Sequence, residues 1–244
     1  MTDQATAHPD QVQRLFDEKA STWGDKYAPH GPLTGRLTQL ADAVGYRVAA
    51  GGHILDLGCG SGDLSRHLAA AGLRMTGCDI SANMLARAAA CDPTASVELV
   101  RLAPGWQTLP FTTATFDAVV AASVLEYVSS PAEVLRECAR VLRPGGVLLC
   151  TVPDPAHPLR WLEWLTALTA RIPAVRNAGQ NWPRLGRYLT YLQISRQRRP
   201  AGWWSAAAAH AGLFTVRRPT GAAAEHSPLR LLTFERPADP GGSR

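Results

Sequence analysis

The chain has 244 residues and a mass of 26.2 kDa, a length that favours one large domain or one domain with an insertion. Hydrophobic residues make up 46% of the sequence and charged residues 18%, which excludes wholesale disorder, because disordered chains combine low hydrophobicity with high net charge. The longest uncharged stretch, residues 200–216, is too short for a membrane-spanning helix, and the first residues lack the apolar run of a secretory signal. The five cysteines are widely spaced, so we expect them to be reduced in a cytoplasmic protein that has no metal site.

Two helical patterns open the chain, one from Val12 to Trp23 and one from Leu33 to Val44. Short apolar runs then alternate with helical patterns, and this alternation predicts a parallel sheet covered by helices on both faces. Arg143–Gly146 is expected to end the last of these helices. The runs lie at residues 53–57, 73–80, 97–102, 116–122 and 147–152, the helical patterns at 64–71, after Ser81 and at 131–142, and two further apolar runs follow at 213–216 and 229–234.

The end of the first apolar run carries the most informative pattern, Asp56 followed by glycines at 58, 60 and 62. Glycines let the backbone turn tightly and approach a ligand closely, and open α/β sheets bind ligands outside the carboxyl ends of their strands. Asp63 stands where a dinucleotide fingerprint needs a third glycine, so the pattern favours a cationic ligand without phosphate. Asp79, at the end of the second run, has the spacing of a carboxylate that binds ribose hydroxyls; the alternative is a helix N-terminal acid beside Ser81.

Six sequence blocks occur in the order typical of one enzyme family. Residues 10–155 resemble the class I S-adenosylmethionine-dependent methyltransferases, in the small-molecule branch that includes quinone-biosynthesis enzymes. The blocks are residues 55–62, 78–81 with Met84, 109–111, 116–120, 123–128 and 142–148.

The resemblance implies a Rossmann-like α/β fold with a seven-stranded, mostly parallel sheet, whose sixth strand lies at 213–216 and whose antiparallel seventh lies at 229–235. It implies a single methyltransferase domain over residues 1–236. Its parts are an N-terminal helical lid at 1–50, a cofactor-binding core at 51–154, a helical cap insertion between strands five and six at 155–205, and the last two strands at 206–236, followed by a flexible tail at 237–244.

The resemblance also implies the cofactor, S-adenosyl-L-methionine, and the residues that bind it. Asp79 would bind the ribose hydroxyls, and the lid would close over the cofactor. Gly105 stands where relatives usually carry an acid that accepts from the adenine amino group, so we hypothesise that Trp106 stacks on adenine instead. The predicted cofactor-binding residues are Tyr27, Asp56, Gly58, Cys59, Gly60, Gly62, Asp79, Ile80, Met84, Gly105, Trp106, Ser123 and Leu125.

A general base is needed only if the methyl acceptor must lose a proton. The loop after the fifth strand contributes His157 and the loop between the last two strands contributes His226, while Tyr127 follows the fourth strand. These three residues are the catalytic candidates, with His157 the preferred base and His226 the second. The alternative is that both histidines are ordinary loop residues.

Residues 156–218 carry ten arginines and a single acid, Glu163. We interpret the aromatic residues of this segment as a cap that offers apolar walls to a hydrophobic or aromatic acceptor, with arginines for a carboxylate or phosphate. Contact with a membrane surface and a merely solvated basic surface stay open as alternatives, whereas nucleic acid is disfavoured because the aromatics follow a helical apolar face. The aromatics concerned are Trp161, Trp164, Trp182, Tyr188, Tyr191, Trp203 and Trp204.

The predicted function is methyl transfer to the oxygen, nitrogen or carbon of a small organic acceptor in biosynthesis, for example in secondary metabolism. Two alternatives stay open: a quinone or isoprenoid C-methyltransferase, and a regulator that binds S-adenosylmethionine without catalysis. The sequence predicts neither the acceptor nor the oligomeric state.

Overall fold

The fold is an α/β sandwich built on one mixed sheet, seen in a computed structural model that describes residues 9–28, 30–31, 33–94, 96–158, 160, 163, 182–195, 197–216 and 228–238. Its helices are α1 (Pro9–Trp23), α2 (Thr34–Gly45), α3 (Asp63–Ala70), α4 (Ala82–Ala90), α5 (Pro131–Val141), α6 (Pro183–Ile194) and α7 (Ala201–His210), with a 3-10 turn at Gly24–Tyr27. Its strands are β1 (His53–Leu57), β2 (Arg74–Asp79), β3 (Val97–Arg101), β4 (Phe116–Ala122), β5 (Leu142–Pro153), β6 (Phe214–Thr215) and β7 (Leu229–Glu235).

The seven strands have the order β3-β2-β1-β4-β5-β7-β6. Strands β1 to β5 pair in parallel, and β7 is antiparallel to both β5 and β6. The predicted mostly parallel sheet with an antiparallel last strand is therefore confirmed. The chain order reverses between β1 and β4, which opens a crevice at the carboxyl ends of these strands.

The two faces of the sheet bury separate hydrophobic clusters. Ile54 and Leu55 are adjacent in β1 and both fully buried, yet they belong to different clusters, because successive side chains of a strand point to opposite faces. Ile54 packs in the cluster that contains Val44 of α2, and Leu55 in the cluster that contains Leu135 of α5 and Trp204 of α7.

Trp204 corrects one part of the predicted cap. Its side chain is fully buried in the core, and its indole nitrogen donates to the Arg199 carbonyl at 3.2 Å. Trp203 packs edge-on against it, with ring centroids 5.0 Å apart. Trp204 is therefore a core residue of α7, and Trp203 packs against the core while partly buried. Neither lines the cavity, because α7 packs on α5 and leads directly into β6.

The fifth strand begins earlier than its apolar run predicts. Helix α5 ends at Val141 as expected, but Arg143–Gly146 belongs to β5 and not to a separate loop. Leu142 pairs with Phe116, and the register then shifts before Ala118 pairs with Val147, so the intervening residues form an irregularity in the strand.

None of the helices in the described ranges has both the length and the apolar character that a bilayer crossing requires. The predicted cap contributes α6, while most of the predicted helix at 159–165 lies outside the described residues.

Candidate active site

A cavity of about 420 Å³ opens at the carboxyl ends of β1, β2 and β4. Helix α1, the 3-10 turn and the start of α2 cover it, and residues near β5 and β7 close its far end. The structure brings eleven of the thirteen predicted cofactor-binding residues into its wall: Tyr27, Asp56, Gly58, Cys59, Gly60, Asp79, Ile80, Met84, Gly105, Trp106 and Ser123.

Two predicted contact residues, Gly62 and Leu125, do not line the cavity. Gly62 precedes α3 with a φ of 74°, and a Cβ there would lie 3.0 Å from the Ala88 Cβ, so this glycine permits α3 to pack against α4. Leu125 is fully buried in the core. Both residues support the site from behind instead of facing a ligand.

The glycine turn after β1 is fixed by backbone hydrogen bonds to the end of β2. The amides of Gly58 and Cys59 both donate to the Cys78 carbonyl, at 2.7 and 3.0 Å. Gly58 has a φ of 72°, and a Cβ there would lie 2.3 Å from the Val124 Cγ2. A side chain at this position is therefore excluded, and the backbone itself forms the cavity wall.

Asp79 is held in place by two backbone amides. Its carboxylate accepts from the Gly60 amide at 2.9 Å and from the Ser81 amide at 2.8 Å, while the Ser81 hydroxyl caps α4 by accepting from the Met84 amide. Asp79 therefore organises the start of α4 and also lines the cavity, and its binding of ribose hydroxyls stays a prediction. Burial raises the pKa of Asp79 above its usual range despite these hydrogen bonds.

Asp56 is the second buried carboxylate of the cavity, with 2% of its surface exposed. It accepts from the Ser65 hydroxyl at 2.6 Å. Burial raises the pKa of Asp56 to about 6, although the Ser65 hydrogen bond opposes this change, and the nearby Asp79 raises the pKa further. A positive charge in the cavity would stabilise both ionised carboxylates, so this end of the cavity suits a cationic ligand.

Arg36 was missed by the sequence reasoning. Its Nη1 donates to the Ser123 hydroxyl and its Nη2 to the Tyr27 hydroxyl, each at 2.7 Å. Its Nε is buried and has no hydrogen-bond partner within the described part of the chain. The guanidinium lines the cavity where the lid meets the end of β4, so a donor is available there for an anionic group of a ligand.

Helix α1 forms one wall of the cavity, and its closure over a cofactor stays a prediction. Phe16 packs edge-on against Trp23 and against Tyr127, with ring centroids 5.6 and 5.2 Å apart. The Lys26 ammonium lies 3.7 Å from the Trp23 ring centroid. Burial lowers the pKa of Lys26 to about 8, and the neighbouring cations Lys19 and Arg36 contribute.

The far end of the cavity contains Glu126, Tyr127 and Tyr191. Glu126 is 3% exposed and accepts from the Ser195 hydroxyl at 2.5 Å, and burial raises its pKa. Burial and the adjacent Glu126 raise the pKa of Tyr127 well above its usual range, so its hydroxyl stays protonated near neutral pH.

The three catalytic candidates have different outcomes. Tyr127 lines the cavity, whereas His157 does not. The His157 backbone amide donates to the Asp154 carbonyl in a turn that follows β5. The residue preferred as the base therefore lies outside the cavity wall. His226 lies outside the described residues. Of the predicted cap aromatics, Tyr191 lines the cavity, while Trp182 and Tyr188 are exposed and do not.

No group of three histidine, cysteine, aspartate or glutamate side chains is placed to hold a metal ion in the portion of the chain that the structure describes.

Comparison with known proteins agrees with the geometry. A methyltransferase domain family matches residues 55–150, which span β1 to most of β5. Residues 55–150 are therefore similar to methyltransferase domains.

A curated protein that this chain resembles is the ubiquinone biosynthesis O-methyltransferase of Xanthomonas oryzae pv. oryzae. It is 34% identical over 135 residues, which are 54% of this chain and 56% of that protein. The chain thus spans about half the length of the curated relatives it matches.

Solved structures share the fold of this chain over most of its length. The cyclase SpnF has a TM-score of 0.63 at 20% identity, over 96% of this chain and 98% of that one. Phosphoethanolamine N-methyltransferase 2 of Haemonchus contortus, solved with phosphomonomethylethanolamine and S-adenosylhomocysteine, has a TM-score of 0.62 at 18% identity, over 87% of this chain and 46% of that one. Since a cyclase and a methyltransferase both appear, the fold alone does not fix the reaction.

Proposed function

We propose that this chain transfers a methyl group from S-adenosylmethionine to a small organic acceptor that is hydrophobic or aromatic. S-adenosylmethionine is the cofactor that the family match and the related structures support. The observation that carries the proposal is one continuous cavity, with the glycine turn and Asp79 at one end and an aromatic wall of Phe16, Tyr127 and Tyr191 at the other.

The residues of the cavity fit this cofactor. Asp79 would accept hydrogen bonds from the ribose hydroxyls, and Ile80 and Met84 would flank the adenine. Asp56 would face the positive charge of the methionine portion, and the buried, unpartnered Nε of Arg36 suits its carboxylate.

When bound, the cofactor supplies an activated methyl group on a positively charged sulfur, so the protein's task is mainly to position the acceptor and exclude water. The lid residues Phe16 and Trp23 cover the cavity and exclude solvent. Tyr127, whose hydroxyl stays protonated, would orient the acceptor by donating a hydrogen bond. Glu126 is the carboxylate at this end that would take a proton from an acceptor that must lose one.

The test is incubation of the protein with S-adenosylmethionine labelled in its methyl group and a small-molecule extract of the host. The proposal expects a labelled organic product that is lost in Asp79→Asn. Binding of the cofactor without any labelled product would favour the regulator alternative, and a labelled quinone or isoprenoid product would favour C-methylation.

We also propose that the basic segment at 156–218 brings the protein to anionic membrane surfaces. The exposure of Trp182, at 70%, and of Tyr188, at 39%, on or beside α6 supports this partner. Sedimentation with vesicles that contain an anionic lipid should capture the protein at low salt, and loss of capture in Trp182→Ser would support the contact.

A further inference from the structure

The order of the strands divides the cavity into a cofactor end and an acceptor end. Asp79 lies at the end of β2, the glycine turn follows β1, and Ser123 follows β4. Strands β5 and β7 come next in the sheet, each about 4.8 Å from its neighbour. Under the proposed function, on which this inference rests, the part of the acceptor farthest from the reacting atom therefore lies against the cavity wall over β5 and β7.

Arg160 forms part of that wall and is 8% exposed. Its Nη1 donates to the Glu163 carboxylate at 2.6 Å, and its Nη2 donates to the Pro228 carbonyl, directly before β7, at 2.9 Å. These two bonds fix the guanidinium plane. Its Nε is buried and has no hydrogen-bond partner among the residues that the structure describes.

Unpartnered buried polar atoms are rare in folded proteins, because leaving a donor without an acceptor is costly. The described residues contain three such side-chain atoms, on Arg36, Arg160 and Gln197. Two of the three belong to arginines that line the same cavity. Arg36 lies at the cofactor end of the cavity and Arg160 lies in the wall over β5 and β7, so the two guanidinium groups serve different parts of the cavity.

The charge balance around Arg160 favours a negatively charged partner. The Glu163 carboxylate also lies 3.1 Å from a guanidinium nitrogen of Arg198, so one carboxylate serves two cations. Among the described residues of this wall, Glu126 is a further acid; it is buried and already accepts from Ser195. The sharing of the Glu163 carboxylate between two cations therefore leaves Arg160 able to pair with an added anion.

We propose that Arg160 binds a carboxylate on the methyl acceptor, and that the acceptor is accordingly a small aromatic or hydrophobic acid. The carboxylate anchors the molecule between the guanidinium of Arg160 and the aromatic wall that includes Tyr191. It takes no part in the bond changes of methyl transfer, which occur at the opposite end of the acceptor, near Ser123.

The test measures binding to the protein saturated with S-adenosylhomocysteine, by calorimetry, for benzoate, 4-hydroxybenzoate, phenylacetate and 2-naphthoate, each beside its own primary amide. The proposal expects at least one acid to bind about tenfold or more tightly than its amide. Arg160→Gln should abolish this preference and Arg160→Lys should weaken it. The matched control is Arg230→Gln. Arg230 lies on β7 and forms an ion pair with Asp154, but it does not line the cavity.

The affinity for S-adenosylhomocysteine reports on folding and on the cofactor end, and it should be unchanged in all three variants. If the wild-type protein binds S-adenosylhomocysteine but prefers none of the four acids, or if the preference survives Arg160→Gln, the carboxylate site is overturned and the proposed function stands. If the wild-type protein does not bind S-adenosylhomocysteine, the proposed function itself fails.

Discussion

The Asp17 carboxylate accepts a hydrogen bond from the Ser81 hydroxyl at 2.5 Å, across 64 positions of sequence. It also accepts from the Asn83 amide at 3.3 Å, so a lid residue satisfies donors at the start of α4. Ser81 in turn follows Asp79, which lines the cavity. The lid is therefore tied to the same turn that positions a predicted cofactor-binding carboxylate.

This connection predicts that Asp17→Ala weakens cofactor binding although Asp17 does not line the cavity. Loss of a charge-assisted hydrogen bond should lower the affinity for S-adenosylhomocysteine by about tenfold, mainly through faster release. Stopped-flow displacement would measure the release rate. Glu18→Gln is the control on the exposed side of α1 and should leave the rate unchanged; equal rates in Asp17→Ala and the wild type would show that this hydrogen bond does not hold the lid.

Arg36→Gln should weaken binding of S-adenosylhomocysteine by about tenfold to a hundredfold, because a charged donor for the methionine carboxylate is lost. Binding of 5′-methylthioadenosine, which lacks that carboxylate, should be unaffected. Calorimetry with both ligands separates the two effects. Arg47, a partly buried ion-pair residue that does not line the cavity, is changed to Gln as the control. A parallel loss for both ligands in Arg36→Gln would assign Arg36 a purely structural role.

The raised pKa of Asp56, at about 6, predicts how cofactor binding depends on pH. The folded protein without ligand holds a proton on Asp56 where the unfolded chain has already lost it, so this group's contribution to stability falls as the pH rises from about 4 to about 6. A cationic ligand favours the ionised form, so binding should release protons in this range and weaken as the pH falls from about 7 to about 5.

The released protons can be counted by calorimetry of S-adenosylmethionine binding in buffers of different ionisation enthalpy. The titrations are made at pH 5.5, about half a unit below the pKa of Asp56. Asp56→Asn should reduce the number. Some proton release should persist in this variant, because the pKa of Asp79 is also raised. Proton release that is absent in the wild type, or unchanged in Asp56→Asn, would contradict the assigned role of this carboxylate.

Trp204 is buried and Trp182 is exposed, so substitutions of these two residues should affect the stability of the fold very differently. Trp204→Ala should lower the free energy of unfolding by about 3–5 kcal/mol, because it leaves a cavity in the core. Trp182→Ala should change it by less than about 0.5 kcal/mol, since Trp182 is 70% exposed. Urea denaturation compares the two variants, and similar losses would refute the placement of Trp204 in the core.

The sequence predicted those features that depend on local pattern. The strand ends at Asp56 and Asp79 could be read from apolar runs, and the alternate glycines after Asp56 predicted the turn that the Cys78 carbonyl fixes. Residues that act through distant partners gave no such signal. Arg36 meets Ser123 across 87 positions, and Arg160 meets Pro228 across 68.

The mistaken placements have the same origin. Trp203 and Trp204 lie within the basic segment at 156–218, so they resembled its other aromatic residues. The helix before β6, however, covers the sheet and therefore carries core side chains. His157 follows β5 closely, but the turn at Asp154 takes it out of the cavity wall. Only the three-dimensional arrangement separates a residue near the site in sequence from a residue in it.

Calorimetric titration of the purified protein with S-adenosylhomocysteine tests the central claim most directly. The account predicts saturable binding of one molecule per chain, lost or strongly weakened in Asp79→Asn and retained in Asp154→Asn, whose carboxylate pairs with Arg230 outside the cavity. Absence of binding by the wild-type protein, or equal binding by Asp79→Asn, would contradict the assignment of this cavity to a sulfur-linked nucleoside.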